Sequence, residues 1–186
     1  METVWLIVAL IGAFIWGVWI FNRLVRARNQ VKAAWSDIDV QLTRRHDLVP
    51  ELVSTVRAYA GHERTLLETV TELRARALKT DRPRPLAEVE GALEQALDRL
   101  LILKEAYPEL KADRNFAQLA ADLVDTENRL QYARRFYNGA VRELNDRIRQ
   151  FPDLLIARPL GFREAEFYAA ADRHRPGARV DLEQVS

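Results

Sequence analysis

The chain has no cysteine. That excludes disulfides, thiolate metal sites and cysteine nucleophiles, and it suits a reducing compartment. Excess charge of one sign is also missing. Against 28 lysines and arginines stand 27 aspartates and glutamates, a net charge of +1. So balanced a surface lacks the basic field of a nucleic-acid binder, and no nucleic-acid partner is expected. Glycine and proline are scarce, at seven each in 186 residues, and neither occurs between residues 18 and 49. No stretch alternates apolar and polar residues with period two over a useful length, so strands are not expected.

Catalytic patterns are missing as well. The histidines are His46, His62 and His174, and three residues before them stand Thr43, Tyr59 and Ala171. The Glu-x-x-His of di-iron bundles is therefore absent. Four residues after His62 stands Leu66, so the two-histidine metalloprotease helix is absent too. There is no Gly-x-Ser-x-Gly and no glycine-rich phosphate loop. Ser36 and Ser54 lie inside helical patterns, where a hydroxyl usually bonds its own backbone. The expectation is a protein without enzymatic activity, with no catalytic residues, no metal and no cofactor.

What the chain does have is a long apolar run. Thr3 to Phe21 is 19 residues without a charge. As a helix it is about 28 Å long, close to the hydrocarbon thickness of a bilayer. Glu2 is the only charge before it, while Arg23, Arg26, Arg28 and Lys32 follow it. This asymmetry predicts residues 1–2 outside, a span at 3–22 and the remaining residues in the cytoplasm, on the inner membrane. A cleaved signal peptide would carry its basic residues before the apolar core and small residues after it. Here both features are reversed, so a retained anchor is expected. The four basic residues form a membrane-surface cluster, each adding about 1 kcal/mol of attraction to anionic lipid. Ala9, Ala13 and Gly17 are spaced four apart on one helix face. Small residues at that spacing let two spans approach closely, so a homo-oligomer is expected.

Helical periodicity continues beyond the span. Leu24, Val31, Trp35, Ile38 and Leu42 mark one stripe, predicting a single rod over 3–47. His46 to Pro50 reads as a turn, with Asp47 as N-cap and Pro50 in the first turn of the next helix. A second helix is expected over 48–79 and a loop over 81–85, at Asp81-Arg82-Pro83-Arg84-Pro85. A third covers 86–106, broken by Pro108, and a fourth covers 113–150, ended by Pro152. Short connections make neighbours antiparallel. The predicted fold is all-α, a transmembrane helix continuous with a bundle of about four long antiparallel helices over 23–157. From Arg158 a tail is expected, with a short apolar run at Phe167 to Ala171 and a mobile last dozen residues. Glu63, Glu127 and Arg134 interrupt the apolar stripes. Buried charges need partners, so these three are expected in an inter-helix polar network that fixes register.

Three blocks resemble a known family. They are VKAAWSDIDVQLTRRHDLVPELVSTVRAYAGHE at Val31–Glu63, LKEAYPELKADRN at Leu103–Asn115, and DTENRLQYARRFYNGAVRELNDRIRQFP at Asp125–Pro152. With Arg28-Asn29 before them and Leu155-Ile156-Ala157 before Gly161-Phe162, they cover nearly the whole chain in the order of the LemA family. Glu51 stands where that family usually has Asn, and Arg158-Pro159 interrupts a normally apolar run. The resemblance implies a single-pass anchor carrying a cytoplasmic antiparallel helical domain. It implies no catalytic residues. Some relatives are associated with magnetosome membranes, which points towards membrane organisation. The expected function is a membrane-anchored scaffold or adaptor that binds the bilayer, other proteins and copies of itself. The alternative is a sensor taking a small molecule or ion in a polar cleft between helices.

Overall fold

A computed structural model describes residues 1–168. Its helices are α1 (Glu2–Tyr59), α2 (Arg64–Ala77), α3 (Pro83–Ile102), α4 (Pro108–Ala112), α5 (Arg114–Arg149) and α6 (Leu154–Ala157), with a 3₁₀ turn at Leu103–Glu105. Among the described residues there is no strand. The fold is all-α, and the long helices are α1, α2, α3 and α5.

α1 runs unbroken for 58 residues, about 87 Å. Its first part is long and apolar enough to cross a membrane and is almost bare of protein contact. The turn expected at 46–50 does not exist. Pro50 sits inside the helix and Asp47 is exposed on it, so the first helix ends at Tyr59, twelve residues beyond its expected end at 47. A proline in mid-helix leaves the carbonyl four residues earlier without its donor. That carbonyl belongs to His46, and Arg74 Nε of α2 donates to it at 2.7 Å. A tertiary hydrogen bond thus replaces the one that proline removes. The reversal comes instead at Ala60–Glu63. There a Cβ on Gly61 would stand 3.3 Å from the Arg57 carbonyl, tighter than side-chain carbons normally sit.

Two further boundaries differ from expectation. Pro83 and Pro85 belong to the first turn of α3, where missing N–H groups cost nothing, so the loop is shorter than 81–85. Pro108 opens the five-residue α4 instead of merely ending α3, whose α-helical part stops at Ile102. The start of α5 follows the expectation. Asp113 caps it, accepting the Phe116 N–H at 2.8 Å. That bond, and then the donating Tyr59 hydroxyl, hold the Asp113 carboxyl below the usual carboxylate range.

α5 packs antiparallel along α1. Tyr59 meets Asp113 and Thr55 meets Asn115 at one end, Trp35 stacks on Tyr137 midway, and Arg23 lies near Asp153, just past α5, at the other end. The core falls into two parts. One gathers Ile20 to Leu42 of α1, Leu130 to Ile148 of α5, and Ala157 and Phe162. The other gathers Val49 to Val56, Leu67, Leu93 to Leu100 and Phe116 to Leu123. Between them lies a layer of charge.

After α5 the chain doubles back through α6 onto α1, then turns at Gly161, whose φ of 71° favours glycine. Residues 163–168 run extended beside α5. The expected mobile dozen lies outside the described residues, as does most of the Phe167–Ala171 run.

Candidate functional site

The two cores are separated because α1 places Arg45 and His46 where its apolar stripe requires leucine. Arg45 lies seven residues after Ile38 and seven before Leu52. α3 does the same with Glu90, between Leu86 and Leu93. Arg45 is 2% exposed and Glu90 is fully buried. Charges so placed are tolerable only when paired and hydrogen-bonded.

They are paired. Arg45 Nη1 donates to Glu90 Oε2 at 3.0 Å, and His46 Nε2 lies 2.7 Å from Glu90 Oε1. An ionised carboxylate only accepts, so Nε2 carries the proton there. The other arm of Arg45 contacts the Glu127 carboxylate of α5. Glu127 Oε1 faces Arg134 Nη1 at 3.6 Å, and the same nitrogen reaches Glu94 of α3 at 3.4 Å. The result is a connected chain, His46–Glu90–Arg45–Glu127–Arg134–Glu94, crossing three helices, with alternating charge from Glu90 onward. Burial pulls the Arg45 guanidinium below the usual arginine range. Glu90 opposes that shift, and the like charge of Arg134 adds to it.

The network continues into the tail. Arg134 stacks over the Tyr168 ring at 5.4 Å, and Trp35 lies against Tyr137 and Tyr168. Burial pushes the Tyr168 hydroxyl up to about 12. The tail backbone is held by two asparagines of α5. Asn145 donates to the Ala165 carbonyl and accepts the Ala165 N–H, at 3.0 and 2.8 Å. Asn138 makes the same pair with Tyr168, both bonds at 2.9 Å. Tyr137 donates to the Glu166 carbonyl between them at 2.8 Å. Seven helical residues rise about 10.5 Å and three extended residues about 10 Å, so the two repeats match.

The residues singled out by sequence fall in different places. Glu127 and Arg134 belong to the network. Glu63 does not; it precedes α2 at the far end of the bundle and accepts from the Tyr107 hydroxyl at 3.4 Å. It left the stripe because the helix reverses there. Arg26, Arg28 and Lys32 are exposed, and Arg23 is half-buried. Arg23 stacks over Trp19 and Arg28 over Phe162, at 5.4 and 5.1 Å. Ala9 and Ala13 are free of protein contact, whereas Gly17 faces Ile156 of α6. One end of the small-residue face is therefore occupied within the chain itself.

Arg45, Glu90 and Glu94 escaped the sequence reading. The heptad Leu24, Val31, Ile38, Arg45, Leu52 signals the first, but a turn placed at 46–50 hid it. Beside the network a cleft of about 130 Å³ is lined by Arg45, Glu94, Glu127 and apolar residues including Leu97, Leu101 and Leu123. Among the described residues no three His, Cys, Asp or Glu side chains gather as a metal site.

Known proteins resemble the chain over most of its length. A family model described as the LemA family matches residues 34–182. The chain is similar to Magnetosome protein MamQ 2 of Paramagnetospirillum magneticum, at 22% identity over 174 residues, covering 80% of this chain and 64% of that protein. It is also similar to Protein LemA of Metamycoplasma hominis, at 23% identity over 156 residues, covering 83% and 71%. Magnetosome protein MamQ of Magnetospirillum gryphiswaldense is 21% identical over 174 residues, covering 80% and 64%. The chain thus spans less than two thirds of the length of these magnetosome relatives.

Proposed function

The chain belongs to the LemA family, and from that premise we propose that it is a membrane-anchored, non-enzymatic scaffold. It presents a helical bundle at the cytoplasmic face, and it binds other proteins and copies of itself. The observation that carries this reading is the continuity of α1. The helix that can span a bilayer is also the helix on which α2, α5 and α6 pack. With no joint between anchor and bundle, the bundle stands at a set height and orientation on the membrane, which suits a platform.

The interior supports the same reading. Its central charges close on one another, and the cleft beside them, about 130 Å³, is smaller than the roughly 300 Å³ at which small-molecule sites begin. A sensor is favoured by the unsatisfied polar atoms of the network, Arg134 Nε and Nη2 and Glu127 Oε1, which find no hydrogen-bond partner among the described residues.

The test is chemical crosslinking of the full chain in native membranes. The expected result is a ladder of homo-oligomers with a defined set of protein partners. Ala13→Ile, which adds bulk on the remaining small-residue face, is expected to weaken the homo-oligomer bands several-fold. Monomer alone, with no protein crosslinked to it, would remove the scaffold reading. Unchanged oligomers in Ala13→Ile would move self-association from the span to the bundle.

A further inference from the structure

The corner between α5 and the tail presents apolar side chains that nothing among the described residues covers. Phe151 is 77% exposed, Leu155 56% and Leu160 57%. On the protein side the same corner is well packed. Ala157 and Ile20 are fully buried, and Phe21 meets Phe162 edge to face at 5.9 Å. Ile156 reaches furthest along the span, with its Cδ1 3.9 Å from where a Cβ on Gly17 would be.

The height of that contact fixes its surroundings. Gly17 lies four residues, about 6 Å, inside the end of the uncharged run at Phe21. A segment packed beside the span at that depth shares the span's medium. We infer that the corner formed by residues 150–161 is a second membrane contact, with Phe151, Leu155 and Leu160 seated at the boundary of acyl chains and headgroups.

The charges of the corner suit that place. Its acid, Asp153, is 4% exposed, with Arg23 at 4.0 Å and Arg147 at 3.9 Å. Arg158 is exposed on the same corner, and Arg26 and Arg28 are exposed on the neighbouring turns of α1. Apolar side chains flanked by arginines, with the carboxylate turned inward, match an anionic bilayer surface. Arginine stems lie along apolar surface while their heads reach the headgroups. Two contacts, the span and the corner, hold the bundle against tilting in the plane they define.

The inference rests on α1 crossing the bilayer, and the experiment separates the two. The chain has no cysteine, so single spin labels can be placed without background. Phe151→Cys and Leu155→Cys report the corner, Phe14→Cys the span, and Gln95→Cys the exposed side of α3. Each labelled full-length chain is reconstituted in vesicles of phosphatidylethanolamine and phosphatidylglycerol. Collision with oxygen, which favours lipid, is compared with collision with a water-soluble nickel chelate. At positions 151 and 155 the oxygen-to-nickel ratio is expected to rise several-fold above position 95, towards that at 14. A nickel collision rate equal to that at 95 would place the corner in water and overturn the inference. Low collision with both reagents would place it against another protein and overturn it equally. A water-like signal at 14 would overturn the span itself, and the inference with it.

Discussion

Glu90→Ala is expected to destabilise the bundle by about 3–5 kcal/mol, because it leaves Arg45 and His46 buried without their shared acceptor. The cost comes mainly from Arg45, left in the core with only the partly exposed Glu127 as counter-charge. Glu127→Ala should cost less, about 1–2 kcal/mol, since Arg45 keeps Glu90, Arg134 keeps Glu94, and Glu127 itself is a fifth exposed. Replacing both members of the central pair, Arg45→Met with Glu90→Met, removes the uncompensated charge and should cost clearly less than Glu90→Ala alone. Denaturant titration of the full chain in mild detergent, followed by helical circular dichroism, measures all three. A double variant as unstable as Glu90→Ala would show that the loss is one of volume, not of charge.

The second large effect concerns the tail. Asn138→Ala with Asn145→Ala removes four hydrogen bonds to the backbone of Ala165 and Tyr168. At about 0.5–1.5 kcal/mol net for each bond, the pair should lose about 2–6 kcal/mol. The loss should fall first on the tail, because the clamp reaches the core only through Tyr137 and through Tyr168, which packs on Trp35. Trypsin cleavage at Arg163 should therefore accelerate well before the bundle unfolds. Unchanged cleavage would mean that Trp35, Tyr137 and Arg134 hold Tyr168 without the asparagines.

The two effects show what the sequence discloses and what it conceals. Helical periodicity disclosed the all-α fold, the continuity of the span with the first bundle helix, and the extent of α5 to within a residue. Local signals failed where a distant residue decides. Pro50 reads as a helix start, but Arg74, 24 residues further on, satisfies the carbonyl that the proline strands. Once that turn is misplaced, Arg45 and His46 look like residues near a helix end, not a core layer, and Glu63 looks like a core residue. Pairing by spacing alone found Glu127 and Arg134. It could not find Glu90, because opposite charges on separate helices meet only when register is known. The asparagine clamp leaves no local mark, since two asparagines seven apart on a helix read as ordinary polar residues. Its meaning lies in the match between a helical and an extended repeat.

The same limit explains the covered glycine. Ala9, Ala13 and Gly17 form one small-residue face by spacing, but only the fold brings α6 back to Gly17. The position of the basic residues is legible in the sequence, because exposure just beyond the apolar run does not depend on helix register. Arg26, Arg28 and Lys32 stand exposed just beyond the apolar run, and Arg23 leans on Trp19 at the run's end.

An unbroken α1 is expected to carry the bundle from the bilayer into the cytoplasm. Paired reporters fused to the C-terminus test it most directly, one active only inside the membrane and one active only outside. Signal is expected from the inside reporter alone, because Arg23, Arg26, Arg28 and Lys32 follow the apolar run and only Glu2 precedes it. Signal from the outside reporter alone would contradict it and would place the bundle, with its network and tail clamp, on the opposite face of the membrane.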